Sequence, residues 1–102
     1  MMNPQALKKL QKMQEDLKKV QNEINESTFY GQSGGSVVKV AVKGTKEVVS
    51  IDIDKEAVDK DDVAMLEDLI IAALNDAFKK VDKETEETLG SITSGMNMPG
   101  MF

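Results

Sequence analysis

The groups able to do chemistry in this 102-residue chain are lysines and carboxylates, because it contains no His, no Cys and no Arg. Without imidazole or thiol it lacks the commonest general base, the commonest transition-metal ligand and the thiolate nucleophile. No set of Ser, Lys and carboxylate stands at a usable spacing to replace them. The composition therefore argues against an enzyme and offers no cofactor site. What lysines do without help is meet phosphate as point charges. Residues 1–22 hold five, Lys8, Lys9, Lys12, Lys18 and Lys19, against Glu15 and Asp16, a net of +3. On a helix, at about 100° per residue, Lys8, Lys12 and Lys19 fall within about 40° of one another over roughly 16 Å of axis. Glu15 interrupts that row, and Lys9 and Lys18 flank it. Lys79, Lys80 and Lys83 form a second group within little more than one helical turn. Residues 59–102 carry ten acids against four lysines, a net of −6, and the whole chain is −5. The chain is thus an electrostatic dipole with a basic front end, unless both ends are simply solvated helix faces.

Three other groupings invite a site and are better read as structure. Gly31–Gln32–Ser33–Gly34–Gly35 is rich in glycine, but no Lys-Ser/Thr pair follows and it leads into a strand, so it reads as a break or turn after a short strand and not as a phosphate loop. Asp52 and Asp54 share one face of a strand and can in principle hold Mg²⁺, but no base or phosphate loop accompanies them; an ordinary solvent face suffices. The methionines of residues 91–102 lack the His or Cys of a soft-metal site. That segment is expected to be a flexible Gly/Ser/Met-rich tail after a single domain over residues 1–90.

The elements that must position the lysines follow from periodicity. Asn3–Pro4 is a helix start. Leu7, Leu10, Met13, Leu17, Val20 and Ile24 then recur at steps of three and four, a narrow seam suited to a helix partner. Lys12–Asp16 and Glu15–Lys19 are spaced to support this helix as ion pairs. About 23 helical residues reach roughly 34 Å, longer than a domain of this size needs, so the seam is expected to pair in a homodimer. Ser27–Tyr30 favours a short strand. Residues 36–43 alternate, with Val38, Val40 and Val42 on one side; after Gly44–Thr45, residues 47–54 return with Val49, Ile51 and Ile53 inward. The most apolar stretch, Met65 to Phe78, continues to about Leu89 as a long helix with Leu66, Leu69, Ile70, Ala73, Leu74, Ala77, Phe78 and Val81 on one face. Asp61 or Asp62 caps it. The order is helix, short strand, hairpin, long helix: a small aliphatic α+β domain, with no apolar run near the roughly 18 residues of a membrane span and no signal-peptide core, and hence read as cytosolic.

The blocks Gln11–Lys12–Met13–Gln14–Glu15, Gly31–Gln32–Ser33–Gly34–Gly35 with Val37–Val38–Lys39–Val40, Ile51–Asp52–Ile53–Asp54, and above all Met65–Leu66–Glu67–Asp68–Leu69–Ile70 with Ala72–Ala73 and Asn75–Asp76–Ala77, occur in one order nearly end to end. Ser94–Gly95–Met96 and Pro99–Gly100 complete the series. In this the chain resembles the YbaB/EbfC family of bacterial nucleoid-associated proteins. The resemblance implies an α-β-β-β-α protomer with a small antiparallel sheet and two long helices. It also implies a tweezer-like homodimer joined through the sheet, binding to duplex DNA, cytoplasmic and nucleoid localisation, and a role in nucleoid organisation or gene regulation. Phe29–Tyr30 is bulkier than the small or β-branched residues expected at that point of the family pattern. Without Arg, bidentate reading of guanine is absent. The expected contact is weak, salt-sensitive and largely sequence-independent, through Lys8, Lys9, Lys12, Lys18, Lys19, Lys79, Lys80 and Lys83. The competing reading, which the acidic second half favours, is an adaptor for a replication or recombination-repair protein.

Overall fold

The computed structural model describes residues 3–94. Its elements are α1 (Pro4–Glu26), β1 (Thr28–Ser33), β2 (Val38–Lys43), β3 (Val48–Ile53), a single 3-10 turn (Lys55–Ala57) and α2 (Val63–Ser94). The α-β-β-β-α order matches the expected fold. Both helix starts form as their residues dictate. The Asn3 carboxamide accepts from Ala6 N at 2.7 Å with Pro4 in the first turn, and Asp62 accepts from Met65 N at 3.2 Å.

The sheet is antiparallel in the order β1-β2-β3. Directly paired residues share a face. Phe29, Gly31 and Ser33 therefore lie with Val42, Val40 and Val38 on the face that meets α2. Val38, Val40 and Val42 are fully buried there against Ala73, Ala77 and Val81. No core residue is larger than valine where sheet and helix come closest, which accounts for a core without Trp in which the aromatic Phe29 and Phe78 sit at the margin.

Two strand expectations are corrected. Gly31, Gln32 and Ser33 are not a break; they are the second half of β1 and pair with Val40, Lys39 and Val38. The reason is a close approach: a Cβ on Gly31 would meet Ala73 O at 2.2 Å and Ala77 N at 2.6 Å. The turn itself comes later, where Gly34 and Gly35 take positive φ. Second, Val49 is not in phase with Ile51 and Ile53. Val42 pairs with Val48 while Ala41 pairs with Ser50, so Val49 is the extra residue of a bulge. The bulge puts Val48 in Val49's expected place on the α2-facing side.

α2 lies across β1 and β2 and leaves β3 largely uncovered. Val48 and Ile51, on the side that faces α2, consequently remain 41% and 44% exposed. The two sheet edges differ. Along β1, Lys80 Nζ donates to Tyr30 O at 2.7 Å, Gln32 N donates to Asp76 Oδ2 at 3.1 Å, and Ser33 Oγ donates to Leu69 O at 2.5 Å. Side chains of α2 and a strand hydroxyl thus blunt that edge, while β3 has no such cover among the described residues.

α2 runs on through Leu89 and Gly90 to Ser94, beyond the expected domain end; the remaining tail reading, residues 95–102, lies outside the described residues. A glycine inside a helix costs about 1 kcal/mol relative to alanine, too little to stop a long helix. Beyond its own helix turn and chain neighbours, no described residue lies within 4 Å of a Cβ built on Gly90. Gly90→Ala is therefore expected to stabilise the fold by about 0.5–1 kcal/mol, read as a raised urea midpoint.

Candidate nucleic-acid interface

The molecule is elongated, 69 × 26 × 18 Å, with a radius of gyration of 19.8 Å; a compact chain of this length has about 13 Å. The extension comes from the helices, which pass beyond the small sheet. Along the α1 seam burial falls steadily away from the body. Ile24 is 5% exposed, Val20, Leu17 and Met13 are half-buried, and Leu10 and Leu7 reach 37% and 50%. Near its root α1 meets its own α2, where Val20, Ile24, Phe29, Glu84 and Thr88 line a cavity of about 240 Å³. α1 thus forms an arm whose first two turns stand clear of the body.

Lys8, Lys9, Lys12, Lys18 and Lys19 all lie exposed on that arm. The pairs Lys12–Asp16 and Glu15–Lys19, expected to brace the helix, do not come within 4.0 Å. The ion pairs among the described residues are Lys43–Glu47, Lys46–Asp82 and Lys80–Asp76. The α1 ammonium groups are thus free to meet an external anion, and Lys8, Lys12 and Lys19 keep the one-sided placement that helical geometry requires.

The second lysine group divides. Lys79 and Lys83 are exposed and make no ion pair among the described residues. Lys80 is occupied: it holds Tyr30 O and stands 3.6 Å from Asp76 Oδ2. It positions α2 on the β1 edge, a role that sequence spacing cannot reveal because its partner is 50 residues away. Lys46, which drew no attention in the sequence, ties the β2–β3 hairpin to α2 through Asp82 at 2.9 Å.

The other sequence candidates find structural uses. Asp54 caps the 3-10 turn by accepting from Glu56 N at 3.0 Å, and Asp52 pairs in register with Lys39. Among the described residues no group of three or more carboxylates is placed to hold a metal ion, and no helix is long and apolar enough to cross a membrane.

The family model described as the YbaB/EbfC DNA-binding family matches residues 1–96. A nucleoid-associated protein of Clostridium novyi is 49% identical over 96 residues, covering 94% of this chain and 84% of its own. One from Oceanobacillus iheyensis is 47% identical over 96 residues, covering 94% and 92%. One from Bacillus licheniformis is 54% identical over 80 residues, covering 78% and 75%. Among solved structures, an uncharacterized protein of Helicobacter pylori superposes with a TM-score of 0.73 at 22% identity, covering 91% of this chain and 99% of that one, which supports the fold.

Proposed function

The chain belongs to the YbaB/EbfC DNA-binding family, whose members are nucleoid-associated proteins and not enzymes, and from that premise we propose how this member holds DNA. It binds duplex DNA weakly and without sequence preference through lysine–phosphate contacts on projecting helices. The observation that carries this reading is the row of unpaired, exposed lysines on the α1 arm. Lys8, Lys12 and Lys19 form its centre, Lys9 and Lys18 its flanks, and Lys79 and Lys83 add charge from α2; Lys80 stays with β1. The net charge of −5 repels DNA at long range, so contact depends on this local concentration of cations and is readily screened.

The binding unit in this reading is a homodimer that presents two arms. The open β3 edge, with Val48, Val49 and Ile51 exposed beside it, is where a second copy adds to the sheet; the blunted β1 edge is not. The protein acts in the nucleoid, within the cytoplasm, in DNA organisation or gene regulation. The acidic exposed residues of α2, Glu67, Asp68, Glu86 and Glu87, favour a second reading as an adaptor for a replication or recombination-repair protein. A partner captured equally after nuclease treatment would support that adaptor.

The test is fluorescence anisotropy on a random-sequence blunt duplex across rising salt, alongside sedimentation. The expected result is a particle of twice the 11.2 kDa chain mass whose affinity falls with a log–log salt slope of several units. A folded dimer that fails to bind at the lowest salt would overturn the DNA reading and leave the adaptor.

A further inference from the structure

Tyr30 is the one tyrosine of a chain without tryptophan, and 65% of it is exposed on a β-strand. It belongs to the sheet face turned away from α2. Its pairing partner is Ala41, so Thr28, Tyr30 and Gln32 of β1 share that face with Lys39, Ala41 and Lys43 of β2. Ala41, directly across from Tyr30, is only 9% exposed. Tyr30, Gln32, Lys39 and Lys80 are among the residues lining a cavity of about 290 Å³ at the β1 edge.

The groups around the ring differ in what they can offer. Lys39 makes no ion pair among the described residues. Lys80 is held by Tyr30 O and Asp76, which fixes the backbone beneath the ring. The Gln32 side-chain carbonyl accepts from Ser36 Oγ at 2.6 Å, and the Gln32 side-chain N–H groups have no partner among the described residues. β1 and β2 bring no carboxylate to this face. Asp52 of β3 pairs in register with Lys39 without an ion pair, and Glu47 stands 4.0 Å from Lys43. An exposed π-face, an amide donor and a free ammonium on a rigid strand pair are the parts of a stacking platform for an unpaired base and its phosphate.

We infer that Tyr30, Gln32 and Lys39 form a site for single-stranded DNA, with a base stacked on the Tyr30 ring and the adjoining phosphate on Lys39. The site is separate from the α1 arm and lies at the blunted β1 edge, which a dimer through β3 leaves open. It rests on the reading of this chain as a DNA-binding protein and extends it to melted or frayed DNA. Charge decides the occupant: a free cationic side chain beside a π-face suits an anionic chain of stacking units.

The experiment compares a labelled oligo(dT) of about 12 nucleotides with a blunt duplex, by anisotropy at low salt. Tyr30→Thr keeps a strand-forming residue and removes the π-face; Tyr30→Phe keeps both. Tyr30→Thr is expected to weaken oligo(dT) binding by about fivefold to a hundredfold and to leave duplex binding unchanged, while Tyr30→Phe binds like the parent. In the unmodified protein, photo-crosslinking of a 5-bromodeoxyuridine oligonucleotide should map to Tyr30 by mass spectrometry, whatever the variants do. Unchanged oligo(dT) affinity in Tyr30→Thr, or crosslinks confined to α1, overturns the inference. Loss of duplex binding by the unmodified protein overturns the arm reading instead, and the two failures are distinct.

Discussion

Replacing Lys8, Lys12 and Lys19 with glutamate is expected to abolish duplex binding and to leave the fold intact. Each reversal removes two units of charge from a surface that has no internal partner for it. Three lost phosphate contacts at low salt weaken binding on the order of a hundredfold or more before any repulsion is added. Repulsion then adds to the loss, because the variant carries its new carboxylates on the arm that must approach the backbone of DNA. Stability should change little, since exposed, unpaired side chains on a helix surface typically shift it by within about 0.5 kcal/mol. Anisotropy on a blunt duplex reads the first effect and the urea midpoint reads the second. Retained binding in the folded triple variant would place the DNA contact elsewhere on the molecule.

The second large effect concerns the seat on which the helices rest. Gly31→Ala puts one methyl group where the backbone of α2 already lies, 2.2 Å from Ala73 O and 2.6 Å from Ala77 N. No flexible side chain can yield there. The obstacle is helix backbone, and Ala73 and Ala77 cannot be made smaller without becoming glycine. Overpacking a well-filled core costs typically 1–3 kcal/mol. With backbone on the opposing side the expected loss is about 3 kcal/mol, a large share of the 5–15 kcal/mol typical of a domain. Moving α2 outward to make room would also stretch the Lys80–Tyr30 and Asp76–Gln32 hydrogen bonds, so β1 should lose its edge cover as the core loosens. A urea melt checks this through its midpoint; a midpoint equal to the parent's would show that α2 is not seated against β1 as described.

The lysine row and Gly31 also show where sequence reading succeeds and where it stops. The lysine row on α1 was legible because it depends only on helical spacing, and the caps were legible, Asn3 outright and Asp62 as one of two candidates with Asp61, because caps act over three residues. The valines of β2 declared their inward face by alternation alone. Gly31 was misplaced into a loop because, beside Ser33, Gly34 and Gly35, it looked like one more flexible glycine. Its actual cause is Ala73 and Ala77, more than forty residues away. Val49 was misread for a similar reason, since a bulge shifts the phase of a strand without changing its composition. Lys80 shares its spacing with Lys79 and Lys83, yet its ammonium is taken by a carbonyl on β1, which only tertiary structure brings within reach. Local periodicity thus found the elements and the arm, while Gly31, Val49 and Lys80 each answer to a contact or a register between elements.

The most direct test of the arm as the DNA-binding surface is a ¹H–¹⁵N correlation spectrum of the full chain titrated with a random-sequence blunt duplex at low salt. Shifts and broadening are expected at the amides of residues 8–19 on α1, with a smaller response near Lys79 and Lys83, and quiet signals from Ala73 and Ala77 in the core. Shifts confined to β3 or to the acidic start of α2, with α1 unmoved, would contradict the account.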